Sequence, residues 1–233
     1  MPFFFFDPLY LLLTGIGVAI TLWAQYRVKS SFAHYSRVGV SAGISGAEAA
    51  AAVCRAAGVG GVRIERHEGF LSDHYDPREK ALRLSPDVHD GRSISAIAVA
   101  AHEAGHSIQD ARGYPFLGFR SSVVPMANIG SKLWPLPFFL GMFLAGGLFG
   151  KGLMLLGIAL FSGVVLFQLI TLPVEFDASK RAKAVLAETG IVQTQEEAQG
   201  VSKVLDAAAL TYVAAALSGI LQLIYLLIRA QDR

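Results

Sequence analysis

The residues with the clearest chemical potential are His102, Glu103 and His106, which form the pattern His-Glu-x-x-His. If this segment is helical, both histidines lie on one face, because residues four apart in a helix are neighbours. Two imidazoles so placed can bind one Zn²⁺, and the glutamate between them can accept a proton from water. The spacing therefore predicts a zinc site for peptide-bond hydrolysis, with Glu103 as the catalytic base.

A catalytic zinc site needs a third protein ligand in addition to a position open to water. The candidates are Glu175 and Asp177, which follow a long apolar stretch expected to return the chain to the side of a membrane that carries the histidines. Side chains two residues apart in a helix point about 200° away from each other, so both cannot face one ion. We expect Glu175 to be the ligand, with Asp177 as the alternative.

Other polar residues are candidates for supporting roles at this site. Hydrogen bonds that orient the imidazoles could come from Asp177, Gln109 or Asp73. A donor that stabilises the oxyanion of the transition state could be His74, Tyr75, Arg181 or Tyr212. The sequence does not choose among these residues.

The composition is that of a membrane protein. The mean hydropathy is +0.48, and only 16% of the residues are charged. Charged residues are absent from whole windows rather than thinned evenly, as expected for membrane spans around a polar insert. A net charge of +2 without a basic block argues against nucleic acid as a partner, and the single Cys54 excludes a CxxC metal site.

The hydropathy pattern divides the chain into five segments. We expect a transmembrane anchor over 1–26, to which Phe3–Phe6 contribute, and a transmembrane hairpin over 122–173 with its tip at Gly150-Lys151-Gly152. A last transmembrane helix is expected within 207–233. The polar parts are a zincin-like region over 27–121 and a helical segment over 174–206. The predicted fold is thus mainly α, with about four transmembrane helices and a small cytoplasmic α+β metal-binding region.

Local signals predict elements inside these segments. Ser45 is a plausible cap for a helix over 47–57, and Ser93 or Ser95 for the helix that carries the histidines. Alternation predicts short strands at 62–65 and 81–84, while 73–77 reads as a turn followed by an extended run and 85–92 as a loop. Pro125, Pro135 and Pro137 should kink the first span of the hairpin, and Gly190 should interrupt the second polar segment.

Basic residues predict the orientation in the membrane. Twelve of the twenty Lys and Arg residues lie in 27–120, whereas the hairpin tip and the C-terminal tail hold Lys151, Arg229 and Arg233. The positive-inside rule then places both polar segments in the cytoplasm and both termini outside. We expect a multi-pass protein of the bacterial inner membrane with its active site on the cytoplasmic side.

Five segments together carry a resemblance to a known family. They are 73–77 (Asp-His-Tyr-Asp-Pro), 84–85 (Leu-Ser), 100–109 (Ala-Ala-His-Glu-Ala-Gly-His-Ser-Ile-Gln), 172–179 (Leu-Pro-Val-Glu-Phe-Asp-Ala-Ser) and 207–214 (Ala-Ala-Ala-Leu-Thr-Tyr-Val-Ala). The chain resembles the bacterial neutral zinc metallopeptidase family of small membrane proteins. The resemblance covers nearly the whole chain and implies a membrane zinc peptidase, without indicating its substrate.

A more distant similarity is to membrane gluzincins, namely the heat-shock membrane protease and the CAAX prenyl protease. In those proteins a Glu that opens a Glu-x-x-x-Asp motif is the third zinc ligand, and Glu175 matches that Glu. The present chain departs from the motif at its last position, where Ser179 replaces the Asp. Asp177 is the residue that could take over the role of that Asp.

These observations favour a zinc-dependent endopeptidase that cleaves membrane or membrane-proximal polypeptides. Its expected partners are a polypeptide substrate, the lipid bilayer, and a membrane protein or a second copy of the chain. The alternative is a non-catalytic membrane scaffold or partner subunit whose zinc site is structural or vestigial. A variant Glu103→Gln distinguishes the two, because it abolishes only the enzyme's function.

Overall fold

The computed structural model describes residues 7–69, 72–144 and 147–231. Phe3–Phe6 and Arg233, which contributed to the sequence predictions, lie outside the described residues. The elements of the described residues are α1 (Pro8–Tyr35), α2 (Gly46–Ala56), β1 (Arg63–Arg66), β2 (His74–Asp76), β3 (Ala81–Leu84), α3 (Pro86–His89), α4 (Ile94–Ala111), α5 (Pro115–Leu133), α6 (Pro135–Phe143), α7 (Leu148–Glu188) and α8 (Gln195–Gln231).

The chain divides into two compact units. One unit, here called the polar unit, consists of residues 25–118 and 173–210. The other, the apolar unit, consists of 1–24, 119–172 and 211–233. Helices α1, α5, α7 and α8 therefore each contribute residues to both units.

Helix α2 begins where the sequence predicts it. The Ser45 hydroxyl accepts a hydrogen bond from the Glu48 amide at 3.2 Å, and the Glu48 carboxylate accepts one from the Ser45 amide at 2.6 Å. This reciprocal capping box satisfies two backbone donors that the helix itself leaves free. The buried face of α2, with Ala49, Ala50 and Val53, belongs to the core of the polar unit.

Helix α4 is the central helix of the polar unit. Of its two predicted caps, Ser93 is the N-cap and accepts from the Ala96 amide, whereas Ser95 is buried and donates to the Phe32 carbonyl. Fourteen of the eighteen residues of α4 are buried. Small side chains, including those of Ala101 and Ala104, let neighbouring elements approach this helix closely.

Among the described residues, three strands form one sheet with the order β1-β3-β2. Strand β3 pairs parallel with β1 and antiparallel with β2, which confirms the strands predicted near 62–65 and 81–84. The turn and extended run predicted at 73–77 are wrong in their order, because His74, Tyr75 and Asp76 form the strand β2 and the turn follows at 77–80. The residue before a proline favours extended backbone, so Asp76 can pair with Ala81 ahead of Pro77. Residues 86–89 of the predicted loop form the short α3.

In the apolar unit, α5 and α6 pack antiparallel to α7. A Cβ added to Gly163 would lie 3.3 Å from Met126, and one added to Gly157 would lie 2.6 Å from the Phe138 Cβ. Nearer the other end, a Cβ on Gly150 would lie 3.0 Å from the Gly141 carbonyl. These contacts follow α7 for about 20 Å, given its rise of about 1.5 Å per residue.

The hairpin agrees with its prediction in one place and differs in another. The kink expected at Pro135 takes the form of a break, because α5 ends at Leu133 and α6 begins at Pro135, which cannot donate a backbone hydrogen bond. The tip predicted at Gly150-Lys151-Gly152 is wrong, since α7 begins at Leu148 and runs through these residues. Gly150 provides close contact with the chain at Leu144 and Gly141 instead of a turn.

By length and hydropathy, three helices of the described residues could cross a membrane, namely α1, α7 and α8. The remaining predicted span, which is the first span of the hairpin, corresponds to α5 and α6. The protein is therefore mainly helical, with three candidate membrane-spanning helices among the described residues and a small three-stranded sheet.

Candidate metal centre

The candidate site lies where α4 contacts the polar-unit part of α7. A Cβ added to Gly105 would lie 2.5 Å from the carbonyl oxygen of Ala178, so only glycine permits this approach of the two backbones. Both residues are buried. The contact brings the face of α4 that carries His102 and His106 against the turn of α7 that carries Glu175.

The structure brings the two histidines and Glu175 together. The Glu175 Oε2 atom lies 3.1 Å from His102 Nε2 and 3.6 Å from His106 Nε2. One donor atom from each of the three residues lies within 4.8 Å of the others. The side chains of His102, His106 and Glu175 are only 13%, 10% and 3% exposed, so the group is nearly enclosed.

The side chain of Gln109, one turn further along α4, contacts Nδ1 of His106, the ring nitrogen on the side away from Glu175. The Gln109 amide nitrogen donates to the Val174 carbonyl at 2.7 Å and to the Asp177 carboxylate at 2.8 Å. Because both partners are acceptors, the amide oxygen faces His106 Nδ1, at 3.0 Å. His106 therefore carries its proton on Nδ1, which leaves the lone pair of Nε2 directed at the site.

His102 is held in the same manner by Ser179. The Ser179 hydroxyl lies 3.1 Å from His102 Nδ1 and can accept a hydrogen bond from it. Ser179 is the residue at which the sequence departs from the Glu-x-x-x-Asp motif, and it follows Glu175 by one helical turn. Its hydroxyl thus contacts a candidate ligand imidazole directly.

These residues fit a zinc ion. Two ligand atoms of a tetrahedral zinc site are separated by about 3.3–3.5 Å, as follows from metal–ligand distances near 2.0–2.1 Å. The two measured separations from Glu175, 3.1 and 3.6 Å, are close to this value. Both imidazoles present Nε2 while Nδ1 is hydrogen-bonded, which is the usual arrangement of zinc-binding histidines.

The electrostatics of the site favour a cation. Burial acts to lower the pKa of His106, but the nearby carboxylates of Glu175 and Glu103 outweigh burial and raise the pKa. Glu103 is itself buried, on the turn of α4 between the two histidines. The enclosed site therefore carries an excess of negative charge that a divalent ion would balance.

Asp177, the alternative third ligand, has different partners. Its carboxylate accepts from Gln109 and, at 2.5 Å, from Arg181 Nε. The Arg181 guanidinium lies 5.7 Å from the ring centre of Tyr114, a residue that the sequence did not single out. Asp177 is thus linked to His106 through Gln109, and Glu175 is the acid whose oxygen faces the imidazoles.

Three of the remaining predicted residues, His74, Tyr75 and Asp73, have other partners. His74 Nδ1 lies 2.8 Å from the Ser72 carbonyl, and the Tyr75 hydroxyl donates to Asp110 at 2.7 Å. Asp73 accepts from the amide and the hydroxyl of Ser85. Tyr212 belongs to the apolar unit. The sequence places both Gln109 and Ser179 one helical turn after a candidate ligand, His106 and Glu175 respectively. This spacing is the signal that they could lie near the site.

The donor group, the long apolar helices and the small sheet are the features expected of a membrane-associated zinc peptidase. The chain belongs to the family described as "Putative neutral zinc metallopeptidase", which it matches over residues 10–231. The resemblance to the neutral zinc metallopeptidase family, drawn from the sequence, is thereby confirmed.

One relative is a protein of Bacillus subtilis (strain 168) named "Putative membrane protease YugP". The two chains are 48% identical over 216 residues, which cover 93% of this chain and 94% of the relative. No solved structure matches the chain.

Proposed function

We propose that the protein is a membrane-embedded, zinc-dependent endopeptidase that hydrolyses membrane or membrane-proximal polypeptides. The observation that carries the proposal is the convergence of His102, His106 and Glu175, with both Nδ1 atoms hydrogen-bonded away from the site. The family and the name of the Bacillus subtilis relative support the same activity.

Each residue then has a defined role. His102, His106 and Glu175 bind the ion, and bound zinc supplies a Lewis acid that polarises water and the substrate carbonyl. Glu103 accepts the proton from the attacking water and later delivers it to the departing amine. Since Glu103 is buried beside the histidines, its carboxylate is held where little bulk water competes for that proton.

The substrate class follows from the position of the site in the chain. Glu175 is the third residue after Leu172, where a segment of the apolar unit ends. A ligand so close in sequence to an apolar segment keeps the site within reach of polypeptides that are themselves anchored in lipid. The relative's name, which includes "membrane protease", agrees with such substrates.

For the topology, we propose four crossings of the bacterial inner membrane, with α5 and α6 together as the second. Their antiparallel contacts with α7 support this assignment, because a chain that runs beside a spanning helix shares its environment. The polar unit, with eleven Lys and Arg residues in 25–118 and four in 173–210, is then cytoplasmic, and both termini are outside.

The test is cleavage of a membrane polypeptide by the purified full-length protein and its Glu103→Gln variant, loaded with zinc. The variant should retain about one zinc per chain and lose cleavage by a factor of about 10²–10⁴, because the general base is removed while the ligands remain. Glu196→Gln, an exposed glutamate in the first turn of α8, is the matched control and should cleave at the wild-type rate.

Two results would contradict the proposal. Cleavage by Glu103→Gln at the rate of the control would exclude Glu103 as the base. A wild-type protein that binds zinc but cleaves no membrane polypeptide would favour the non-catalytic scaffold, since the site would then be structural.

A further inference from the structure

We propose that Gln109 is a positioning residue that connects the imidazole of His106 to the Asp177–Arg181 ion pair and thereby fixes the metal-binding form of His106. The inference rests on the proposed function, because it concerns the same metal centre. It adds a residue whose role is to control a ligand without contacting the ion.

The first argument is the completeness of the contacts of Gln109. Its side chain is fully buried, and its amide makes three hydrogen bonds, to His106, Val174 and Asp177. Turning the amide by 180° would place its oxygen against two acceptor oxygens and its NH₂ group against the Nδ1–H of His106. Only one orientation of the amide is therefore compatible with its surroundings, and in that orientation its oxygen accepts a hydrogen bond from Nδ1–H of His106.

The second argument is the charge behind the amide. Zinc-binding histidines commonly donate to a carboxylate, which fixes the ring and raises its basicity. Here the carboxylate of Asp177 is one amide removed, at 2.8 Å from the Gln109 nitrogen. Hydrogen bonds in a chain polarise one another, so the negative charge of Asp177 strengthens the acceptor that His106 contacts.

The third argument is that the chain of contacts connects the two helices that provide the ligands. Asp177 and Arg181 lie on α7, and Arg181 rests against Tyr114, which follows α4. Gln109 of α4 in turn donates to Val174 of α7, next to Glu175. The network therefore sets the register of the histidines relative to Glu175 as well as the tautomer of His106.

The experiment measures zinc affinity of the full-length protein by competition with a chelator. Gln109→Met keeps the volume and removes the hydrogen bonds, and it should weaken zinc binding by a factor of about 10–100, the usual effect of such partners. Gln109→Glu should weaken it as much, because the introduced carboxylate would face both the Val174 carbonyl and the Asp177 carboxylate.

The exchange Gln109→Glu/Asp177→Asn distinguishes positioning from packing. The double variant keeps one amide and one carboxylate in the network but exchanges their positions. The carboxylate at position 109 accepts a hydrogen bond from His106, and the amide at position 177 donates one to that carboxylate. We expect the double variant to bind zinc more tightly than Gln109→Glu alone, because the repulsion with residue 177 is removed, although the one with the Val174 carbonyl remains. A loss caused by packing alone would persist in the double variant.

Asp206→Asn is the matched control. Asp206 binds Lys183, a cation of α7 two residues beyond Arg181, at 2.7 Å, without contact to the metal centre. This control should leave zinc affinity unchanged. Wild-type affinity in Gln109→Met, or no recovery in the double variant, would overturn the inference. Failure of the proposed function would give other results. Either the wild-type protein would bind no zinc, or Glu103→Gln would cleave at the wild-type rate.

Discussion

At the scale of single residues, the metal centre depends on which nitrogen of each imidazole is available. A neutral histidine has one N–H and one lone pair, so a partner that accepts at Nδ1 leaves Nε2 free to bind a metal. Ser179 and Gln109 supply these acceptors for His102 and His106, respectively. Glu175 and Asp177 of α7 have different partners, because Glu175 faces Nε2 of His102 and Asp177 faces the side-chain amide of Gln109.

The convergence of His102, His106 and Glu175 could be predicted from the spacing of the two histidines and from the return of the chain after the hairpin. The partner of each imidazole could not be chosen. Gln109 was one of three candidates beside Asp73 and Asp177, and helical spacing alone does not tell which ring a side chain reaches. Which of them reaches a ring depends on the register between α4 and α7, a tertiary property.

At the scale of elements, the site requires α4 and α7 to touch at the backbone. Gly105 lies between the histidines on α4, and its missing side chain leaves room for the carbonyl of Ala178. On either side of this point, His102 and Gln109 then reach α7 within hydrogen-bond distance, and His106 Nε2 lies 3.6 Å from Glu175 Oε2. The two helices form the site as a pair.

Gly105→Ala should therefore separate the helices. We expect a loss of about 1–3 kcal/mol in the free energy of unfolding, as for overpacking of a filled interior, together with weaker zinc binding. The measurements are chemical denaturation and zinc competition on the purified protein.

Gly118→Ala is the matched control, because a Cβ at Gly118 of α5 meets nothing within 4 Å. It should gain about 0.5–1 kcal/mol from the higher helix propensity of alanine and leave zinc binding unchanged. Equal unfolding free energies and equal zinc affinities for the two variants would show that the close contact of Gly105 with Ala178 is not needed for the site.

The elements themselves were predictable where local chemistry determines them. Ser45 and Glu48 specify the start of α2 by their own hydrogen bonds, and Ser93 does so for α4. The predictions were wrong where contacts between residues distant in sequence determine the local structure. Strand β2 exists because β3 offers it a partner, and Gly150 lies inside α7 because it packs against Gly141 rather than turning the chain.

At the scale of the whole molecule, the candidate metal centre belongs to the polar unit, and apolar segments of the candidate membrane spans belong to the other unit. The polar unit contains the sheet, α4 and all three donors, whereas the apolar unit contains segments of the three candidate spans. Exposed large apolar side chains are frequent in α1, α6 and α7, as expected for surfaces that face lipid. If α5 and α6 cross the membrane, the polar unit and the start of α7 lie on opposite sides of it. If they do not cross, both lie on the same side.

Cysteine labelling tests the four crossings. With a membrane-impermeant maleimide on intact cells, Lys151→Cys near the start of α7 should react, whereas Arg78→Cys in the polar unit should react only after lysis. The native Cys54 should contribute little background, because it is buried and burial raises the pKa of its thiol. Equal labelling of both positions in intact cells would contradict the proposal that α5 and α6 cross together.

The central claim is that His102, His106 and Glu175 bind one zinc ion, and the zinc content of purified variants tests it most directly. Wild type should contain about one zinc per chain. His102→Ala and Glu175→Ala should contain almost none, while Asp177→Ala should still take up zinc, though more weakly, because its carboxylate acts through Gln109. Full zinc content in Glu175→Ala, or its loss only in Asp177→Ala, would contradict the account.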